Sequence, residues 1–249
     1  MAAASIPPHN VSMELTDLLA YLRGAGGLPR SLPEDPMSLL ADWYAEAKRR
    51  RDTANPDAIA LSTVDSDGHP DSRIVLARSL DLERGGLIFY TNRDGAKGRQ
   101  LATTPRAAAV FHWDAAERQA RLRGPVEPLS DAESDVYFAA RPLLSRLGAW
   151  ASRQSQPLGS RIELVRAVRR AARGHGVSLR AMLREDAPDV TIPRPPHWGG
   201  YRLVAEELEL WCGVRGRLHD RARWTRTVRG PGPIEAGPWS AGRRSRLFP

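Results

Sequence analysis

The chain has 249 residues, 41% of them hydrophobic and 27% charged, with a formal net charge of +8 and a sequence pI near 10.4. It is long enough for one large core with helical elaborations, and its composition is ordinary for a globular protein. No apolar run approaches the roughly 18 residues of a membrane span, and Met1 to Ser12 has neither the cationic start nor the apolar stretch of a secretory signal. The lone cysteine, Cys212, excludes an internal disulfide and a cysteine-based zinc site. It fits a reducing compartment, so the expectation is a cytoplasmic protein without a metal. Arginine greatly outnumbers lysine, and the basic residues are spread along the chain with a denser run after Gly213. With no zinc-finger spacing and no aromatic-basic motif of the RRM kind, phosphate-bearing small ligands explain the excess as well as nucleic acid does. Neither nucleic acid nor a membrane is expected as a partner.

In chain order, Ser12 can cap a helix with Leu15, Leu18, Leu19 and Leu22 on one stripe, stopped by Gly24, Gly26 and Gly27. Asp35-Pro36 starts a second, with Leu39, Leu40, Trp43 and Ala47 on one side. The span between them is expected to be a flexible arm. From Ala58 the pattern turns extended: Ala58 to Val64, a turn at Asp65 to Gly68, Ser72 to Ala77, then Leu87 to Thr91. A short helix over Lys97 to Ala102 precedes a hairpin of Arg106 to Trp113 with Arg118 to Val126. Short strands between turn signals suggest a barrel or sandwich, and the absence of alternating full-length helices disfavours a βαβ sheet.

The second half turns helical. Ser130 to Glu133 is a capping-box pattern opening a helix toward Arg141, which places Tyr137 and Arg141, four apart, on one face. Ser160 to Glu163 repeats the pattern before an apolar set of Leu164, Val165, Val168, Ala171 and Ala172, with Arg166, Arg169, Arg170 and Arg173 as a solvated face. Gly174 to Pro196 reads as an irregular connector with one helical turn near Leu179. Strands resume from Tyr201 to Leu210, and Gly230-Pro231-Gly232-Pro233 breaks a C-terminal pair. Between them lies Trp211-Cys212-Gly213-Val214-Arg215-Gly216-Arg217-Leu218-His219-Asp220-Arg221. If the chain resumes there as a strand, Arg217, His219 and Arg221 share one face and Leu218 takes the other. Two guanidiniums and an imidazole suit an anionic or electron-rich ligand; a solvated edge strand is the plainer alternative. No internal repeat or second domain is visible.

Trp211 followed by Arg217-Leu218-His219-Asp220-Arg221 resembles the C-terminal signature of the pyridoxamine 5′-phosphate oxidase family. Arg73-Ile74-Val75-Leu76-Ala77-Arg78 is similar to that family's Arg-x-Val-Leu-Leu-Lys strand, and Phe89-Tyr90-Thr91-Asn92 with Lys97-Gly98-Arg99 to its next strand and phosphate-binding turn. Glu117-Arg118-Gln119, then Tyr137-Phe138, Arg141-Pro142, Ser145, Gly148-Ala149-Trp150 and Gln154-Ser155, and finally Pro195 to Tyr201 follow in the family's order. The resemblance runs from about residue 28 to residue 249. It implies an FMN-binding split β-barrel of Greek-key type, mainly β with flanking helices (α+β), occupying residues 35–249 behind an N-terminal helix and arm over 1–34. A dimerisation and active-site segment covers about 195–249.

By the same resemblance, Arg73, Ile74, Val75, Leu76, Tyr90, Thr91, Lys97, Gln119, Gln154, Ser155, Trp211 and Arg221 bind FMN. Arg78, Tyr137, Arg141, Ser145, Arg217 and His219 bind a small phosphorylated pyridine, with Arg217 and His219 as the catalytic pair. The implied reaction converts pyridoxine or pyridoxamine 5′-phosphate to pyridoxal 5′-phosphate by hydride transfer to flavin N5 and reoxidation by molecular oxygen, giving peroxide, in a homodimer. Departures are Arg78 for a usual lysine, Ala96 for an arginine, Ala20 and Arg23 for an arginine–tyrosine pair, and longer segments at 174–189 and 230–242. They leave two alternatives: a relative oxidising a dihydro-aromatic or small amine in natural-product biosynthesis, and a non-enzymatic flavin- or haem-binding module.

Overall fold

The computed structural model describes residues 27–50, 52–182, 190–230 and 233–249. Asp35 opens helix α1 (Met37–Arg50), its Oδ1 accepting from the Met37 amide at 2.8 Å. Leu40, Trp43, Tyr44 and Ala47 then fall on one buried side. Strand β1 (Ala58–Val64) alternates strictly, with Ile59, Leu61 and Thr63 inward. β2 (Pro70–Asp81) and β3 (Gly86–Asn92) continue the meander, and α2 (Ala96–Thr103) leads to β4 (Arg106–Trp113). β5 (Arg118–Pro128) follows a 3-10 turn, and its Ala120, Leu122 and Val126 are buried.

Helices α3 (Asp131–Ala139), α4 (Leu143–Ala151), α5 (Arg161–Gly174) and the four-residue α6 (Leu179–Met182) come next. The chain then returns to strands β6 (Trp198–Val204), β7 (Glu207–Cys212) and β8 (Asp220–Thr225), a small pair β9 (Val228–Arg229) and β10 (Glu235–Ala236), and β11 (Arg243–Leu247). Among the described residues no helix is long and apolar enough to cross a membrane.

The strands close a six-membered antiparallel barrel in the order β5-β4-β1-β2-β3-β6 and back to β5, with β7, β8 and β11 extending from β5 as a wing. The split has a local cause. One edge of β5 pairs β7 through Arg118 to Arg123 and β6 through Val126 to Pro128. Between the two lies Gly124, where a Cβ would collide with the Val204 carbonyl oxygen and sit 2.9 Å from the Glu206 amide. Only glycine lets the returning chain switch sheets there. The barrel core includes Ile59, Leu87, Phe89, Phe111, Trp113, Leu122 and Leu203, capped by α1. A second cluster (Phe138, Leu143, Leu147, Ala172, Val177, Ile192 and Trp198) holds the helices against the start of β6.

Several expectations change. The strand expected from Tyr201 to Leu210 is two strands, because Ala205 and Glu206 carry the chain from one sheet to the other. The helix from Ser130, with its capping box present, stops at Ala139. Arg141 therefore lies in the turn before α4, an element the sequence reading did not separate. The chain after Gly213 does not resume as a strand at once. Arg215–Arg217 is a 3-10 turn with Arg217 at φ 60°, and β8 begins at Asp220, so Arg217, His219 and Arg221 do not alternate along one strand. On α5, Leu164 and Val165 of the apolar set are 41% and 51% exposed, while Ala172 is buried and Val168 and Ala171 pack on the second cluster.

Residues 28–33 of the expected flexible arm are held. The Leu28 amide donates to buried Asp220 at 2.8 Å, and Trp224 Nε1 donates to the Pro33 carbonyl at 2.8 Å. The expected helix from Ser12, the departures at Ala20 and Arg23, and residues 183–189 of the longer connector lie outside the described residues.

A cationic cleft between the barrel and the helices

A turn at Asn92 to Gly95, in which Asn92 Oδ1 accepts from the Asp94 amide at 2.8 Å, feeds the first turn of α2. Gly98 packs α2 on this turn so closely that a Cβ would overlap the Arg93 carbonyl, which explains the glycine after Lys97. Lys97 is thereby 8% exposed, and its Nζ donates to Thr91 Oγ1 at 3.2 Å and Gln154 Oε1 at 2.9 Å. Both acceptors are neutral. Burial, reinforced by nearby Arg73 and opposed by Asp71, holds its ammonium below the ordinary lysine range. Ser155, at φ 68°, accepts from the Ala96 amide at 3.1 Å and so fastens the loop after α4 to the head of α2. Arg73 sits beside this group, bound to Asp71, Thr63 Oγ1 (2.6 Å) and Gln100 Oε1 (3.1 Å).

A cleft of about 480 Å³ opens above Lys97. Ile74, Val75, Leu76 and Arg78 from β2 line one side, and Tyr90 and Thr91 from β3 the floor. Ser145 of α4, with Arg141 from the turn before it and Gln154 from the loop after it, closes the cleft with Trp198. Arg78 occupies a register break of β2 against β3, between Ala77 and Ser79, and bulges of this kind re-aim side chains beside functional sites. Tyr137 stacks on Tyr90 at 3.9 Å between ring centroids, and the Arg78 guanidinium lies 6.0 Å from the Tyr137 ring.

Arg141 is half-buried, and its Nη1, which is fully buried, lacks any hydrogen-bond partner. Its guanidinium is pushed below its ordinary range by burial and by Arg78, Tyr137 acting in the opposite sense. Among the described residues none of Arg78, Lys97 and Arg141 forms an ion pair, whereas Arg194 and Arg202 engage Asp131, Asp135, Asp81, Glu127 and Glu133. Three cations lining one cleft without a carboxylate partner suit anionic ligands. A larger cavity of about 690 Å³ between the 152–158 loop and α5 touches this cleft at Ser152 and Gln154, but none of these three cations lines it.

The remaining expected residues form a second group on the wing. Gln119, Trp211 and Arg221 stand in one row across β5, β7 and β8. His219 packs on Trp211 at 4.7 Å, and its Nδ1 accepts from the Val214 amide at 3.3 Å, which leaves Nε2 to act outward. Arg217 is exposed in the left-handed region, a strained placement for a residue with a side chain. Arg221 is tied to Glu209 at 2.9 Å and to the Phe248 carbonyl at 3.0 Å. None of these five residues lines the cleft of their own chain. Sequence reasoning did not place Trp198 in the site, since an aromatic beside a strand start reads as core.

Fold and cleft together define a split β-barrel with a cationic pocket between barrel and helices. The Pyridoxamine 5′-phosphate oxidase family model matches residues 45–173, and that of the Pyridoxine 5′-phosphate oxidase C-terminal dimerisation region matches residues 198–249. A pyridoxine/pyridoxamine 5′-phosphate oxidase of Azorhizobium caulinodans is 43% identical over 216 residues, covering 87% of this chain and 91% of that one. The crystal structure of PhzG from Burkholderia lata 383, in complex with tetrahydrophenazine-1-carboxylic acid, is 31% identical with a TM-score of 0.71, over 87% of this chain and 94% of that one. A pyridoxamine 5′-phosphate oxidase-related, FMN binding protein from Nostoc punctiforme shares the fold at 16% identity and a TM-score of 0.60, over 88% of this chain and 100% of that one. The chain belongs to the pyridoxamine 5′-phosphate oxidase family.

Proposed function

We propose that the protein is an FMN-dependent oxidase that converts pyridoxine or pyridoxamine 5′-phosphate to pyridoxal 5′-phosphate with molecular oxygen as acceptor. The observation that carries the reading is the set of cations lining one cleft without carboxylate partners: Lys97 at one end of the cleft, Arg78 and Arg141 at the other. Two anionic groups are needed to balance them, and a flavin phosphate and a substrate phosphate supply two. The donor set fits FMN: Lys97 keeps one N–H free beyond Thr91 and Gln154, and Arg73 stands close by. When bound, the flavin would supply a two-electron acceptor for the C4′ hydride of the substrate, with oxygen as the final acceptor giving hydrogen peroxide.

The chain's own residues bind and orient. Lys97, Arg73, Thr91, Gln154 and Ser155 would hold the cofactor phosphate, and Ile74, Val75 and Leu76, which line the cleft, would contact the rest of the cofactor. Arg141, Ser145, Tyr137 and Arg78 hold the substrate phosphate by charge-assisted bonds. Gln119, Trp211 and Arg221 belong to the cofactor site, while Arg217 and His219 position the pyridine ring, His219 using the nitrogen opposite the one engaged by Val214. Because these five lie off their own chain's cleft, the reading requires a homodimer in which the wing of one subunit completes the cleft of its partner; the match to the family's dimerisation region supports this.

The relative that binds tetrahydrophenazine-1-carboxylic acid suggests a second reading, a carboxylate-bearing dihydro-aromatic substrate, favoured here by Ala20 and Arg23 in the N-terminal arm and by the longer segments at 174–189 and 230–242. The test is turnover of pyridoxine 5′-phosphate by purified protein in air, with aldehyde and peroxide measured together. Equimolar products are expected; a protein that retains flavin yet forms neither contradicts the proposal.

A further inference from the structure

A half-buried arginine can be kept charged in three ways. It can pair with a carboxylate, which would fill an anion site; it can donate to neutral oxygens, which uses its N–H groups; or it can stack on an aromatic face, which leaves its N–H edge free. Arg141 shows the third arrangement. Its guanidinium lies 4.7 Å over the Trp198 ring and 5.6 Å from that of Phe138, while Nη1 has no partner.

Trp198 is itself held on every side. It opens β6, where its amide donates to the Pro195 carbonyl at 3.0 Å and its carbonyl accepts from Arg194 Nη1 at 2.6 Å. Its ring runs nearly parallel to Tyr90 (5.4 Å, 10°) and Tyr137 (6.2 Å, 4°), and Phe138 meets it edge-on at 5.1 Å. One fixed indole thus lies under the Arg141 guanidinium and runs parallel to the tyrosine four residues before it.

We propose that Trp198 is a positioning residue for anion selectivity: its π-face holds the half-buried Arg141 guanidinium, which has no carboxylate partner, at the wall of the cleft, where it donates to a substrate phosphate. The inference rests on the reading of Arg141 as a phosphate ligand and adds a residue that touches no phosphate itself. It also explains why α3 ends before Arg141: the turn at residues 140–142 brings the guanidinium over Trp198 instead of leaving it on the helix face.

The test uses flavin-loaded enzyme and the ratio of kcat/KM for pyridoxine 5′-phosphate to that for pyridoxine. W198L should lower this ratio about tenfold, chiefly through KM for the phosphorylated substrate. W198F, which restores an aromatic face, should recover most of it. W198M fills the volume without a ring and takes the place of W198L should the leucine variant not fold. In a double-mutant cycle, R141A together with W198L should be no less selective than R141A alone, because the indole acts through the arginine. Selectivity unchanged in W198L or W198M, or losses that add independently in the cycle, overturn the role of Trp198 while leaving Arg141 intact. An R141A enzyme as selective as wild type overturns the phosphate reading itself, and with it this inference.

Discussion

Lys97→Met isolates the buried ammonium from everything else in the cleft. Of its three N–H groups, two donate to Thr91 and Gln154, so one remains for a ligand oxygen. A single hydrogen bond to a charged group contributes roughly 1.5–3 kcal/mol, and FMN affinity should fall on the order of ten- to a hundredfold. The flavin-free fold should change little, because the charge removed is buried among neutral acceptors and methionine fills the space.

The pH dependence follows from the depressed lysine. Free protein releases this proton at lower pH than the flavin complex, where the phosphate favours the ammonium. FMN affinity is therefore flat at lower pH and declines as pH rises through the depressed value, by up to about tenfold per unit. The flavin-free fold gains stability over the same rise, since the unfolded chain binds the proton more tightly. Fluorescence titration of flavin-free protein with FMN at several pH values measures the affinity and thermal melts of the flavin-free protein the stability, and K97M should lose the alkaline slope. A K97M protein with wild-type affinity and the same slope would refute the assignment of Lys97.

Three further outcomes are expected. Dilution monitored by light scattering and flavin fluorescence should lower dimer and flavin content together, because Gln119, Trp211, Arg217, His219 and Arg221 lie off the cleft of their own chain; a monomer with full flavin would contradict this. Asp220→Asn should lower Tm by roughly 4–12 °C, the equivalent of about 2–3 kcal/mol, since buried Asp220 joins Arg246 of β11 to the Leu28 amide; an unchanged melting curve argues against that clasp. Burial, partly offset by Arg118 and aided by Asp220, pushes the Cys212 thiol up to about 11, so native protein at pH 8 should resist iodoacetamide that modifies the unfolded chain readily; alkylation at equal rates would show the strand pair β7–β8 opening freely.

The alternation of Ile59, Leu61 and Thr63 and the turn at Asp65 to Gly68 made β1 and its hairpin legible, because both signals are local. The double pairing of β5 was not, since it depends on which strand reaches Gly124 from nearly eighty residues later. Lys97, Thr91 and Gln154 could be named from motifs, and the structure brings them within hydrogen-bonding distance. The separation of Arg217, His219 and Arg221 from the cleft was hidden: spacing suggested that they share a strand face, whereas Gly216 and the positive φ at Arg217 turn the chain before β8. Arg221 also takes Glu209 as its partner, a cross-strand contact that register alone decides. Trp198 escaped notice because burial and function ask for the same residue type.

The most direct measurement is the ratio of kcat/KM for pyridoxine 5′-phosphate over pyridoxine in wild-type enzyme, read by peroxide release. Charge-assisted contacts from Arg141 and its neighbours to the phosphate predict a preference of at least ten- to a hundredfold. An enzyme that oxidises both alike, or that turns over only a carboxylate-bearing dihydro-aromatic, would contradict the account.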